Sequence, residues 1–354
     1  MYKNLKFLLI LILILSSISV GLNCIFAQED MASHVEYISS EIGPRPAGST
    51  NEEKTAQYLA DQFRNNGVKT EIQQFKYYSL NSEDIKTSYN VIGTIEGISD
   101  KEIIICADLD TVQDYLVGNY TAGANDDATG LAILIGLAQK YKNKKPFYTI
   151  KLIGFGASED SFTFPLITPK RSHLSPDAYY QIVYLPYLVG ARQYILTNQE
   201  SVNKTIAVIS LEAVGIGDPC VVSKDYYAEN DQFFVDFLVL NARFHGINAQ
   251  KIDFFASKSS DGREGAISHV YLPFSIAQIP STFITCMQNP NLTSGVHNSD
   301  TEIPGYLSIN DNYENLLKNN KNKESLQKQL ETVLYMVYDS INSITLYNQF
   351  RTVI

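Results

Sequence analysis

Residues 121–130, TAGANDDATG, set Asn125, Asp126 and Asp127 among small residues that let backbone pass close by. Adjacent carboxylates on a loop that leads into a helix can serve two ends. They can cap the helix, whose N-terminal dipole favours negative charge. They can also hold a divalent cation, which offsets the desolvation that buried carboxylates suffer. These ten residues leave both readings open. The pattern does not stop there: Asp108 and Asp110 in ADLD, Glu159 in FGASED and Glu212 in SLEAVG add carboxylates elsewhere in the chain.

The elements around these residues decide whether they can meet. Residues 102–106, 147–155 and 206–211 are apolar runs that read as buried strands, and an acidic residue follows each. After residue 130, Leu131, Ala132, Leu134, Ile135, Leu137 and Ala138 recur at helical spacing. Earlier, IGPRPAGS (42–49) is a rigid, turn-rich opening. Ser49 or Thr50 can cap a helix there, with Glu52 or Glu53 completing a capping box. Ala56, Leu59, Ala60 and Phe63 form its apolar stripe, and Gly67 ends it. Residues 68–75 and 90–95 read as strands, 232–244 as a helix, 281–286 as a late strand and 324–344 as a closing amphipathic helix. Strands alternating with helices predict a single α/β domain, its central sheet mixed but mostly parallel, with helices on both faces. In such a sheet the ends of different strands share one edge, so Asp108, Asp126, Glu159 and Glu212 are predicted to converge there as a metal site.

Composition narrows the partners. The chain has 354 residues and a formal net charge of −10 without a basic cluster, which argues against nucleic acid. Cys24, Cys106, Cys220 and Cys286 have no CxxC spacing, which excludes a cysteine zinc site and a disulfide scaffold. Lys3 and Lys6, the apolar run 7–20 and a polar stretch ending at Ala27 have the build of an export leader; the alternative is an uncleaved anchor, the one route to a membrane here. Residues 28–354 then form the folded domain, secreted or extracytoplasmic. The sequons at Asn119, Asn203 and Asn291 matter only in a glycosylating host. His34 and His245 read as ordinary surface histidines.

Taken together, IGPRPAGS (42–49), NVIGTIEG (90–97), ADLD (107–110), GANDDATG (123–130), FGASED (155–160), LVGARQYI (188–195), SLEAVG (210–215) and GVHNSDT (295–301) resemble the zinc aminopeptidases of the bacterial leucyl aminopeptidase and aminopeptidase Y type. That family includes glutaminyl cyclases. The resemblance implies a two-metal site in which Asp126 bridges both ions and precedes a cis peptide bond. It implies Asp126, Glu159 and His297 around one ion, and Asp108, Asp126 and Glu212 around the other. The catalytic candidates are Ser158, at the position of the family's general-base Glu, and Asp110.

Several positions depart from the pattern. Asp108 stands where the family has His, and Glu212 where it has Asp, so the second position suits Mg²⁺, Ca²⁺ or Mn²⁺ better than zinc. The triad with His297 still suits one tightly held zinc. A Ser-Asp-His motif of the family is altered to His269-Val270-Tyr271. A serine hydroxyl cannot accept a proton near neutral pH, and general-base catalysis typically contributes about 10²–10⁴-fold. Asp160 or Asp108 are the groups expected to compensate. The expected activity is hydrolysis at peptide N-termini; the alternatives are a pseudo-enzyme that binds a peptide or glycan, and a single-zinc acyltransferase of the glutaminyl cyclase kind. Residues 161–187 read as an irregular insertion that leaves and returns beside Glu159, where Phe162, Phe164, Tyr179, Tyr180 and Tyr184 would cover the site or line a pocket for a partner and His173 would lend a nitrogen; the alternative is a surface loop folded away from the site. In an exporting host the mature chain is expected to begin at Gln28; N-terminal sequencing that returns Met1 would establish an uncleaved anchor instead.

Overall fold

All positions from Thr129 to Ala138 are buried in the helix Thr129–Lys140. The sequence predicts one broad apolar face, but the helix is enclosed on every side, by the sheet beneath it and by the helices Met31–Glu36, Thr50–Asn65 and Lys323–Arg351. Such a helix suits an all-round apolar sequence. Each fully buried Leu or Ile contributes roughly 1.5–3 kcal/mol. This computed structural model describes residues 30–80, 82–114, 116–160, 163–166, 174–255, 269–290 and 301–351. Met31–Ile354 form one compact unit.

The sheet has nine strands: β1 (Lys69–Ser79), β2 (Asp84–Ile95), β3 (Ser99–Asp108), β4 (Tyr148–Phe155), β5 (Thr163–Pro165), β6 (Thr205–Leu211), β7 (Asp218–Lys224), β8 (Gln250–Asp253) and β9 (Ser281–Met287). Their order is β5-β1-β2-β4-β3-β6-β9-β7-β8. The pairs β4–β3, β3–β6, β6–β9 and β7–β8 are parallel; β5–β1, β1–β2, β2–β4 and β9–β7 are antiparallel. The sheet is mixed, as expected, and its parallel centre carries the site while antiparallel strands extend both flanks. Alternation divides the core between the faces. Ile103 and Ile105 of β3 join the large cluster beneath the helix Thr129–Lys140. Ile104 and Cys106 join a second cluster on the opposite face, against the helices Val189–Thr197 and Leu272–Ile276.

Residues 161–187 are less irregular than their composition suggests. Their described parts contain β5, which pairs with β1 and forms one edge of the sheet, and the helix Pro176–Tyr184, capped by Ser175 with Pro176 in its first turn. Ser-Pro-Asp is a helix start, and it prevails over the surrounding Tyr-rich sequence. Arg192, fully buried, staples this segment down: its Nε donates to Ile182 O at 2.8 Å and its Nη2 to Val183 O at 2.5 Å. The segment returns beside the site, as expected, where Leu188 N donates to Ser158 O and Val189 N to Ala157 O. Tyr180 and Tyr184 stack on each other at an exposed surface. Phe162 and His173 lie outside the described residues, as does the expected leader. Among the described residues no helix is long and apolar enough to cross a membrane.

One glycine decides how closely the helix Val189–Thr197 approaches the strand end that bears Glu159. A Cβ on Gly190 would sit 2.3 Å from Gly156 O and 2.4 Å from Asn90 Oδ1. Gly190→Ala is therefore expected to push the 156–159 loop off its position and to destabilise the fold by about 1–3 kcal/mol. A urea unfolding midpoint equal to that of the parent protein would show that the contact is slack.

Candidate metal centre

The parallel register brings the acidic positions together. Asp108 ends β3 opposite Phe155 of β4, and Cys106 pairs with Ser210 of β6. Glu159 follows β4 and Glu212 follows β6, so Asp108, Glu159 and Glu212 reach one edge from three adjacent strands. Asp126 arrives from the turn before the helix Thr129–Lys140, in a non-helical conformation (φ −120°, ψ 89°), and the Asp126–Asp127 peptide bond is cis. All the predicted site residues within the described part of the chain meet here. His297 lies outside it.

The carboxylates then separate by how their oxygens are used. Asp127 Oδ1 accepts from Gly130 N at 3.1 Å and its Oδ2 from Asp108 N at 3.2 Å. Gly130 has no room for a side chain, since a Cβ would lie 2.4 Å from Asp127 Oδ2. Asp110 accepts from Ser158 N at 2.9 Å and Glu159 N at 3.0 Å, so it braces the loop that presents Glu159. Asp311 accepts from Asn125 N at 2.6 Å and Asp126 N at 3.0 Å. Asn125 Oδ1 in turn accepts from Gly215 N, tying the 121–130 turn to the loop after β6. These are scaffold carboxylates. Asp126, by contrast, lies close enough to Glu159 and Glu212 to feel their charge, and Asp108 Oδ1 is buried with no donor among the described residues.

Electrostatics agree. Burial, then Glu212, Glu159, Asp127 and Asp311, push Asp126 well above the usual carboxylate range. Burial, then Asp108, Asp110 and Glu212, do the same to Glu159. For Asp108 the causes are burial, Glu212 and Asp110, opposed by the neighbouring Ser158 hydroxyl and by Arg45. Arg45 is a buried cation close by, but its own donors go to backbone: Nε to Leu109 O, Nη1 to Ala122 O and Nη2 to Gly123 O. Crowded carboxylates with so little compensating charge are a donor set that fits a divalent cation.

The fit differs between the two implied positions. Among the described residues no three His, Cys, Asp or Glu side chains close into a set able to hold a metal ion. At the first position Asp126 and Glu159 supply oxygens, and the third expected ligand, His297, lies outside the described residues. At the second, Glu212 is already engaged: its Oε2 is 2.5 Å from His269 Nδ1 and its Oε1 accepts from Tyr306 Oη at 2.6 Å. Burial tends to lower the pKa of His269, but Glu212 and Asp225 outweigh it and raise it.

Three expectations need correction. Asp160 is drawn away from the site, to Lys86 Nζ at 3.0 Å and Tyr77 Oη at 2.9 Å, and cannot act as the base. Glu52 does not complete the capping box at Ser49. Its buried carboxylate instead accepts from Gly48 N, Ser88 Oγ and Ala157 N, pinning the helix Thr50–Asn65 to the loop that carries Glu159. His34 is buried and bonded to Tyr58 Oη at 2.6 Å. Sequence reasoning also missed Arg45, Asp311 and Tyr306, and it marked His269 only as an altered motif position. Arg45 alone carried a local sign, a charge held between two prolines in GPRP.

The comparisons with known proteins follow this geometry. The fold matches that of solved zinc exopeptidases. Residues 90–336 match the model of Peptidase family M28, and the chain belongs to that family. The alkaline phosphatase isozyme conversion protein of Escherichia coli (strain K12) is 28% identical over 143 residues, 36% of this chain and 41% of that protein, so the match spans less than half of that relative. Among solved structures, a leucine aminopeptidase precursor from Bacteroides thetaiotaomicron superposes with a TM-score of 0.64 at 19% identity, covering 89% of this chain and 96% of that one. A glutaminyl cyclase from the same organism, bound to N-acetylhistamine, gives 0.65 at 18% identity, covering 89% and 97%. The zinc aminopeptidase of Bacillus subtilis gives 0.59 at 14%, covering 88% and 95%. At such identities they show the fold.

Titration of the scaffold gives a stability test. Burial pushes Asp110 and Asp311 up to about 6 and Glu52 to about 8. The fold thus favours their protonated forms, whereas the unfolded chain releases these protons near pH 4. Their contribution is fully present below that pH and is lost as pH rises through 6 to 8. In chelator-treated protein the urea midpoint is expected to be lower at pH 8.5 than at pH 5.5. A higher midpoint at pH 8.5 would contradict the assignment.

Proposed function

We propose that this chain is an exported, zinc-dependent hydrolase that acts at peptide N-termini. The observation that carries this reading is the convergence of Asp126 and Glu159 with Asp108 on one sheet edge, their charge uncompensated by nearby side chains. Asp126, Glu159 and His297 would hold zinc, which polarises a carbonyl and lowers the pKa of water at such sites. Asp110 fixes the Ser158–Glu159 backbone and Asp311 fixes that of Asp126, so both ligand carboxylates are set in place before a substrate arrives.

Proton transfer is where the chain departs from its relatives. Ser158 is buried beside Asp108 and cannot serve as a base. With Asp160 bound to Lys86, Asp108 Oδ1 is the acceptor left at the site. Turnover should accordingly be slow. The engagement of Glu212 favours a second reading, single-zinc cyclisation of N-terminal glutamine, for which Asp108 would move the proton in the same way.

Aminoacyl-nitroanilide hydrolysis and cyclisation of an N-terminal glutaminyl peptide distinguish the two. Ser158→Glu is expected to raise the preferred reaction by on the order of 10²-fold, because it returns a carboxylate to the base position. Wild-type turnover at ordinary aminopeptidase rates would refute that role for position 158. Zinc and peptide binding without turnover in either protein would leave a pseudo-enzyme.

A further inference from the structure

We infer that His269 and Tyr306 take the place of the second metal ion, so that this chain is built to hold a single one. The inference rests on the family reading of the acidic edge, and its test is independent of turnover. Glu212 occupies the position from which a relative's carboxylate reaches its second ion. Here each of its oxygens already meets a donor, His269 Nδ1 at 2.5 Å and Tyr306 Oη at 2.6 Å. The His269 side chain is 0% exposed and that of Glu212 3%. His269 lies against Phe283, ring centroids 3.9 Å apart, with the Phe254 ring edge-on at 5.7 Å. Neither donor can turn to water, and the aromatic packing holds the imidazole in one orientation.

An ion at Glu212 would have to displace both hydrogen bonds and leave two buried donors unpaired, at roughly 1–3 kcal/mol each. It would also find Asp108 where a nitrogen ligand is needed, gathering three carboxylates around one divalent charge. These obstacles are linked through Glu212. An imidazole and a phenol, rather than a cation, satisfy the carboxylate that the fold places there.

The test is metal stoichiometry of the purified full chain, equilibrated with zinc, dialysed against metal-free buffer and analysed by mass spectrometry of the metal. Wild type is expected to retain one zinc ion per chain, and Asp108→His alone should stay at one because Glu212 remains engaged. Asp108→His combined with His269→Ser, which returns the serine of the family motif, should rise to two. Asp108→His with Tyr306→Phe provides a second variant of nearly unchanged shape, also expected at two; circular dichroism and thermal midpoints report whether each has folded. Two tightly held ions in wild type or in Asp108→His alone, or one ion in both folded double variants, would overturn the inference while leaving the family reading intact. A wild type that holds none would sink both, and absent peptidase activity with one bound zinc would sink only the proposed reaction.

Discussion

Like charges cannot be buried side by side unless something accounts for each of them, and this constraint shapes the edge of the sheet. Asp108, Asp126, Asp127, Glu159 and Glu212 gather where strand ends meet, and burial disfavours the charge of the first four. At an effective dielectric of about 20, two unit charges 4 Å apart repel by about 4 kcal/mol. The fold answers by giving backbone N–H donors to some of these groups and side-chain donors to another. What remains unaccounted for defines the site.

Carboxylates of the same type therefore carry different roles, and their hydrogen bonds tell them apart. Asp110, Asp127, Asp311 and Glu52 each accept from backbone at both oxygens, so they act as braces. They cross-link the loops after β3 and β4 to each other and to the helix Thr50–Asn65, while Asn125 ties the 121–130 turn to the loop after β6. Asp126 and Glu159 are left as the pair proposed to hold metal, and Glu212 is taken up by His269 and Tyr306. Arg45 contributes positive charge from beneath, while its donors organise the carbonyls of the same loops.

The chain keeps its family's architecture, and on the proposed reading its chemistry differs at the points where a proton or a second ion would be handled. On that reading Ser158 stands where a base would, Asp108 stands where a nitrogen ligand would, and Glu212 is held by His269 and Tyr306 instead of an ion. These changes adjoin one another across the ends of β3, β4 and β6. A group of neighbouring changes fits one revised centre better than scattered loss of function. The braces behind them stand in place, so on the proposed reading the frame is kept and the reacting groups are exchanged.

The strands β3, β4, β6 and β9, the helices Thr50–Asn65, Thr129–Lys140 and Gln232–Phe244, and the acidic edge were legible in the sequence, because apolar periodicity and strand-end position are local properties. The quoted motifs added the family and the cis bond after Asp126. The orientation of neighbouring acids was not legible. Glu159 faces the site and Asp160 faces away because Lys86 and Tyr77 of the antiparallel flank capture the latter. Glu52, which looks like a capping residue, became a bridge when Ala157 and Ser88 were brought to it by the sheet. Asp311 reaches Asp126 across 185 residues of chain, and His269 reaches Glu212 across 57. Composition and spacing determined which residues could do chemistry. Which of them is free to do it was settled by long-range hydrogen bonds, since a buried carboxylate is available to a ligand only where no donor of the fold has already claimed its oxygens.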